Sequence, residues 1–175
     1  MSFETDYIWM EENEDAAQLH VIVSDSCPKG CSGPCYAISG INSGTFPVEF
    51  ASIAAIPQAQ RGPAVEAFYK EHFWNQWFAQ LSSDAVAERV FDCAVNMGMG
   101  TAVKILQTAA NSVYPQDSMI ELLVDGIWGP ATLHDVNACD PSALVSAFDA
   151  ARVAHLKKYD ANSPYLAQLI ARAEK

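Results

Sequence analysis

The chain has 175 residues, half of them hydrophobic, which is enough to bury the core of one compact domain. Its 21 Asp and Glu against 10 Lys and Arg give a net charge of −11, which disfavours a nucleic-acid partner and also loose adsorption to any anionic polymer, so a role on such a polymer must rest on a specific cleft. No run of about 18 apolar residues is available to cross a membrane, and the N-terminal MSFETDYIWMEENEDA lacks the basic segment and apolar core of a secretory signal. These features lead us to expect synthesis in the cytoplasm and no membrane partner.

Phe3, Tyr7 and Met10 recur at helical spacing, with Ile8 and Trp9 widening the stripe, so the first element reads as a helix of about four turns ending near Glu14 to Ala16. Its end carries the acidic run Glu11, Glu12, Glu14 and Asp15. Residues 24–47 are rich in Ser, Gly, Pro and Cys and read as a long loop, with one short extended piece at 20–23 or 36–41. Cys27, Cys31 and Cys35 stand in this loop at four-residue spacing, unlike the CxxC pairs of zinc sites. Free thiols, a Cys27–Cys35 or similar disulfide, and a metal site with His20 nearby all remain open. Cys93, among Val90, Phe91, Ala94 and Val95, reads as a buried thiol.

From Pro47 onward the pattern is helical over 48–56, 62–79, 83–97, 100–113, 130–138, 141–159 and 164–173, making about eight helices and an all-α fold. Pro130, Pro141 and Pro164 sit at expected first helical positions, where no intrahelical N–H donor is needed, and Asp140 and Ser163 precede two of them as N-cap candidates.

The most informative stretch is Arg89–Asn111, where a buried-helix pattern runs through Gly-x-Gly-Thr into a second helix. In chain order the sequence has Ile38-Ser-Gly-Ile-Asn42, Tyr69 with His72-Phe-Trp-Asn-Gln-Trp77, Phe91-Asp-x-Ala-Val-Asn-Met-Gly98, Gly100-Thr-Ala-Val103, Leu106-Gln107 and Asp125-Gly-Ile-Trp-Gly-Pro130. From about Cys35 to the C-terminus this series resembles glycoside hydrolase family 108, lysozyme-like peptidoglycan hydrolases of phages, bacterial genomes and type VI secretion effectors. The resemblance implies a single lysozyme-like domain over 1–175. Residues 1–88 would form its catalytic N-terminal part, including the acidic helix and Cys loop, and 89–175 a helical peptidoglycan-binding-like part.

The N-terminal signature departs from the family. Its Glu-Gly-Gly-Tyr becomes Glu12-Asn-Glu-Asp-Ala16, its Gly-Gly-x-Thr is absent before Gly40-Ile41, and the Cys loop looks like an insertion of about nine residues. Glu14 is the best counterpart of the family's catalytic glutamate, followed by Glu12 and Glu11.

Glycosidic cleavage needs an acid for the leaving oxygen and a second group that handles water or stabilises charge on the sugar. At a helix C-terminus, with Glu11, Glu12 and Asp15 adjacent, Glu14 faces a dipole end and like charges that both favour a protonated acid. The bland reading of the same run is a solvated helix face. Asp25, after Val21-Ile-Val23, is the candidate base or stabiliser, and equally fits a turn-initiating Asp in Ser-Asp-Ser. Ser39 and Ser43 stand where they can position water in place of the missing Thr. Ser39, Tyr69 and Asn96 are the substrate contacts that the resemblance implies, while Phe73 and Phe78 read as core.

The expected activity is that of an N-acetylmuramidase on peptidoglycan glycan strands, with no cofactor or metal. The N-terminal variant resembles the type VI effector branch, which implies a secretion apparatus, action in the periplasm or at the cell wall, and a cognate immunity protein that is basic if the cleft is acidic. Release of a phage endolysin through a holin is the other route. Two different readings stand beside it: a non-catalytic descendant that binds glycan or protein, and a cysteine amidase built on Cys35 with His20 or His72.

Overall fold

Helix α1 (Phe3–Glu14) forms where the apolar stripe was read and stops at Glu14. The computed structural model describes all residues except 1, 16, 29, 32, 115–120, 160 and 175. Among the described residues the chain is mainly helical, with eight α-helices and one small sheet. It divides into two compact units, one comprising Tyr7–His72 and the other Met1–Asp6 with Phe73–Lys175, so α1 begins in one and ends in the other. The compact units part between His72 and Phe73, and the helix beginning at Asp84 packs on the helices that follow it.

In the Tyr7–His72 unit, the segment expected to be a long loop folds into a three-stranded antiparallel sheet of β1 (Ile22–Asp25), β2 (Cys35–Ile38) and β3 (Ile41–Asn42), in that order. Both candidate extended pieces form, since each supplies the other's backbone partners: Ile22 faces Ile38 and Asp25 faces Cys35. β2 turns back at Ser39-Gly40, so that Ile38 faces Ile41, and both isoleucines are fully buried. Helix α2 (Pro47–Ala54) opens on Pro47 and α3 (Gly62–Phe73) follows a single 3-10 turn. Met10, Ile53, Val65, Phe68 and Tyr69 complete the unit's core.

The other unit holds α4 (Asp84–Met97), α5 (Met99–Val113), α6 (Pro130–Ala138), α7 (Pro141–Tyr159) and α8 (Leu166–Ala173). Ser83 caps α4 through Val86 N–H, and Asp140 caps α7 through Ala143 N–H (2.9 Å). Gly98, at φ +84°, makes the abrupt junction from α4 to α5. Helix α8 begins at Leu166 rather than at Pro164, because Ser163 Oγ accepts from Tyr165 N–H and closes a local turn in place of a cap.

Two polar networks and one isolated buried carboxyl mark this unit. Asp92 of the Phe-Asp-x-Ala-Val-Asn stretch is fully buried and binds Arg152 of α7 (2.8 Å) and Arg172 of α8 (2.6 Å). Gln107 of α5 clamps the Asp125–Pro130 turn, donating to Asp125 Oδ1 (2.9 Å) and accepting from Gly126 N–H (2.9 Å). Gly126 sits at φ +80°, and a Cβ there would lie 2.8 Å from Gly100 O, which explains the glycine and gives the turn a structural role. Asp6, at the start of α1, is fully buried, and neither carboxyl oxygen has a hydrogen-bond partner among the described residues. Burial, then Glu88 and Asp84, push its carboxyl up to about 7.

Candidate active site

The Tyr7–His72 unit gathers its acidic and polar side chains where the C-terminal end of α1 meets the β2–β3 turn. The three candidate glutamates are in different environments. Glu12 is exposed. Glu11 is buried, with its two oxygens accepting from Tyr7 Oη (2.7 Å) and Gln18 Nε2 (2.9 Å), which makes it an internal brace. Burial and this bond to Glu11 push the Tyr7 phenol upward. Glu14, the last residue of α1, is half-buried, and its carboxylate lies against Gly40: a Cβ on Gly40 would meet Glu14 Oε2 at 2.5 Å and Tyr69 Oη at 2.9 Å. The bare Gly40, at φ +79°, is therefore what lets a carboxylate and a phenol converge on this turn.

Tyr69 of α3 is buried, and its hydroxyl donates to Ser39 O (2.6 Å). Ser39 is buried too, and its Oγ donates to Asp15 Oδ2 (2.9 Å) while lying 2.8 Å from His20 Nδ1. Asp15 also accepts from His20 N–H (2.7 Å) and Leu19 N–H (3.2 Å). Burial opposes the charge on Asp15, but the bonds from His20, Ser39 and Leu19 outweigh it and hold the carboxyl below its ordinary range. Arg61, buried at the start of α3, closes the other side by donating to His20 O (2.7 Å), Ile56 O (3.0 Å) and Ala54 O (3.1 Å).

The non-glycine residues with positive φ among those described are Gln18 (+49°), His20 (+46°) and Ser39 (+46°), and all three belong to this cluster. Each such conformation costs on the order of 1–3 kcal/mol and persists only where its surroundings hold it. Here the holding groups are Asp15 and Arg61.

Asp25 ends β1, exposed; its Oδ2 accepts from Asn42 Nδ2 (2.7 Å) across the sheet and its Oδ1 from Ser26 N–H (2.7 Å). Asn42 also ties Ser26 O (2.9 Å) and Gly44 N–H (2.8 Å), so Asp25 is fixed by a three-point amide anchor. Cys27 and Cys35 form a disulfide across the base of the β1–β2 connection, leaving Cys31 exposed and free. The disulfide removes Cys35 as a nucleophile for the amidase reading, and burial pushes the Cys93 thiol up to about 12.

Of the sequence candidates, the structure brings Glu14, Ser39 and Tyr69 together around Gly40 and places Asp25 in the sheet of the same unit. Asn96 lies in the other unit, half-buried near the end of α4. Sequence reasoning missed Asp15, His20 and Arg61. Their one signal was indirect: polar residues flanking the acidic helix end and the Ser-Gly turn that pairs with it.

A helix ending in a glutamate, a small antiparallel sheet and a following helical array define the lysozyme-like class of fold. A solved structure described as Brucella abortus SagA shares this fold, with a TM-score of 0.65 and 20% sequence identity over 98% of this chain and 92% of that one. No curated protein sequence matches the chain. Residues 38–98 match the family Glycosyl hydrolase 108, a segment shorter than half of the chain, so the match is a likeness of this segment. The segment runs from the end of β2 through α4, taking in Ser39, Gly40, Tyr69 and Asn96; Glu14 and Asp25 precede it, in the part where the sequence departs from the family signature.

Proposed function

We propose that this glycoside hydrolase is an N-acetylmuramidase that cleaves the linkage between N-acetylmuramic acid and N-acetylglucosamine in peptidoglycan, with Glu14 as general acid. The observation that carries the reading is the half-buried Glu14 carboxylate at the end of α1, held against the side-chain-free Gly40 beside the Tyr69 hydroxyl. Glu14 gives its proton to the glycosidic oxygen as the C1–O bond breaks; water adds to C1, and its proton passes to the Asp25 carboxylate. Direct displacement of this kind inverts the anomeric centre. Tyr69 shapes the acid's surroundings.

The test is mass analysis of the products from purified peptidoglycan treated with wild type and with Glu14→Gln. New reducing muramic ends from the wild type alone support the assignment. Equal cleavage by both moves the acid to Glu12 or Glu11, and no cleavage by either favours a glycan- or protein-binding descendant, the reading to which the altered N-terminal signature points. The resemblance of the N-terminal variant to the type VI effector branch supports a further proposal, that the protein reaches the periplasm as such an effector, and the acidic side chains around Glu14 favour a basic immunity protein. Recovery of no basic binder from the producing strain would count against it.

A further inference from the structure

We infer that Asp15, Ser39 and His20 form a positioning clamp that fixes Glu14 against Gly40, an inference that rests on the reading of Glu14 as the acid. The clamp joins the residue directly after Glu14 to the residue directly before Gly40: Ser39 Oγ donates to Asp15 Oδ2 at 2.9 Å. A serine hydroxyl has one hydrogen. Because that hydrogen goes to Asp15, the 2.8 Å contact between Ser39 Oγ and His20 Nδ1 requires Nδ1 to carry the proton and donate it to Ser39. His20 Nε2 is then the bare nitrogen when the ring is neutral, and it points at Gly62, where a Cβ would stand 3.3 Å away.

The same three residues are bound through the main chain. His20 N–H donates to Asp15 Oδ2 (2.7 Å), His20 O accepts from Arg61 Nη1 (2.7 Å), and Ser39 O accepts from Tyr69 Oη (2.6 Å). Ser39 is therefore gripped by both its hydroxyl and its carbonyl while its backbone sits at φ +46°. That conformation hands the chain to Gly40 at φ +79° and sets the turn against the Glu14 carboxylate. A serine is an uneconomical choice for a left-handed position, which glycine adopts without strain. Its retention here is explained by the hydroxyl.

This contrast supplies a variant that separates positioning from folding. Ser39→Gly removes the hydroxymethyl group and its bonds to Asp15 and His20 while relieving the backbone strain, and with these effects opposed the thermal midpoint should stay close to that of the wild type. The turnover number should nevertheless fall by about 10- to 100-fold with KM within about twofold, the size of effect that a small misplacement of a reacting group produces. Asp15→Asn, similar in shape but without the charge, should lower turnover in the same direction. Wild-type turnover in Ser39→Gly would overturn the clamp, as would a loss of activity that merely follows a loss of stability.

Two NMR readouts apply whether or not the protein cleaves peptidoglycan. In the wild type the neutral His20 ring should show the Nδ1–H tautomer, and an Nε2–H ring would overturn the hydrogen-bond order. The Glu14 side-chain carboxyl carbon, assigned by its disappearance in Glu14→Gln, should shift in Ser39→Gly; an unmoved resonance overturns the clamp. Absence of peptidoglycan cleavage by the wild type would sink the muramidase reading and leave these two tests standing.

Discussion

Asp6→Asn should make the protein more stable at alkaline pH and leave it nearly unchanged below about pH 4. Asp6 is fully buried, neither carboxyl oxygen has a hydrogen-bond partner among the described residues, and its carboxyl is raised from the ordinary 3.8 to about 7 by burial and by Glu88 and Asp84. The folded state therefore holds a proton on Asp6 over a range where the unfolded chain has lost it. Stability falls as pH rises between the two values, because the native state then binds more protons than the unfolded one. Below about pH 4 no penalty applies, and above about 7 it is complete. A shift of some three pKa units corresponds to on the order of 4 kcal/mol, an upper value because an unfolded chain retains some structure. The amide of Asn keeps the shape and does not ionise. Urea unfolding followed by circular dichroism at about pH 3.5 and about pH 8.5 should show variant and wild type alike at the lower pH and the variant ahead by about 2–4 kcal/mol at the higher. In a chain of this size that gain corresponds to about 4–16 °C in Tm. Parallel stability curves for the two proteins across this range would refute the reasoning.

Gly40→Ala should abolish activity and destabilise the protein by about 1–2 kcal/mol, because the new Cβ would meet Glu14 Oε2 at 2.5 Å on a backbone at φ +79°; turnover and thermal midpoint measured together check both effects. Tyr69→Phe removes the donor to Ser39 O and should cost about 1–3 kcal/mol, with a drop in turnover as the turn loosens; unchanged stability would show that the carbonyl finds another partner. Asp92→Asn leaves Arg152 buried without its anion and should cost about 3–5 kcal/mol in urea unfolding.

Much of the helical part was legible because its punctuation is strong. Pro130 and Pro141 open α6 and α7 where the sequence placed them, and Gly98 separates α4 from α5. Helix α3 stops at Phe73, short of the expected 79, because Asn75 Oδ1 accepts from Trp77 N–H and substitutes a local turn for helical bonds. The sheet was only half legible: β1 lies exposed along its whole length, so no alternation marked it, and its stability comes from pairing with β2 and from the disulfide beside it. Glu14 stands out in the sequence only through the resemblance, which sets it opposite the family's catalytic glutamate at a helix end. Asp15, His20 and Arg61 do not, since their meaning depends on a contact with Ser39 and its neighbours that arises only when β2 turns back.

The Cys27–Cys35 bond closes a small ring whose existence depends on where the protein is. In a reducing compartment such bonds are kept open, and in an oxidising one they form and persist. The hairpin that carries Asp25 is thus held by its register pairs alone where the thiols are reduced and by a covalent ring where they are oxidised. One polypeptide can exist in two covalent forms, and the thiol count of a recovered sample would tell in which kind of compartment it had matured.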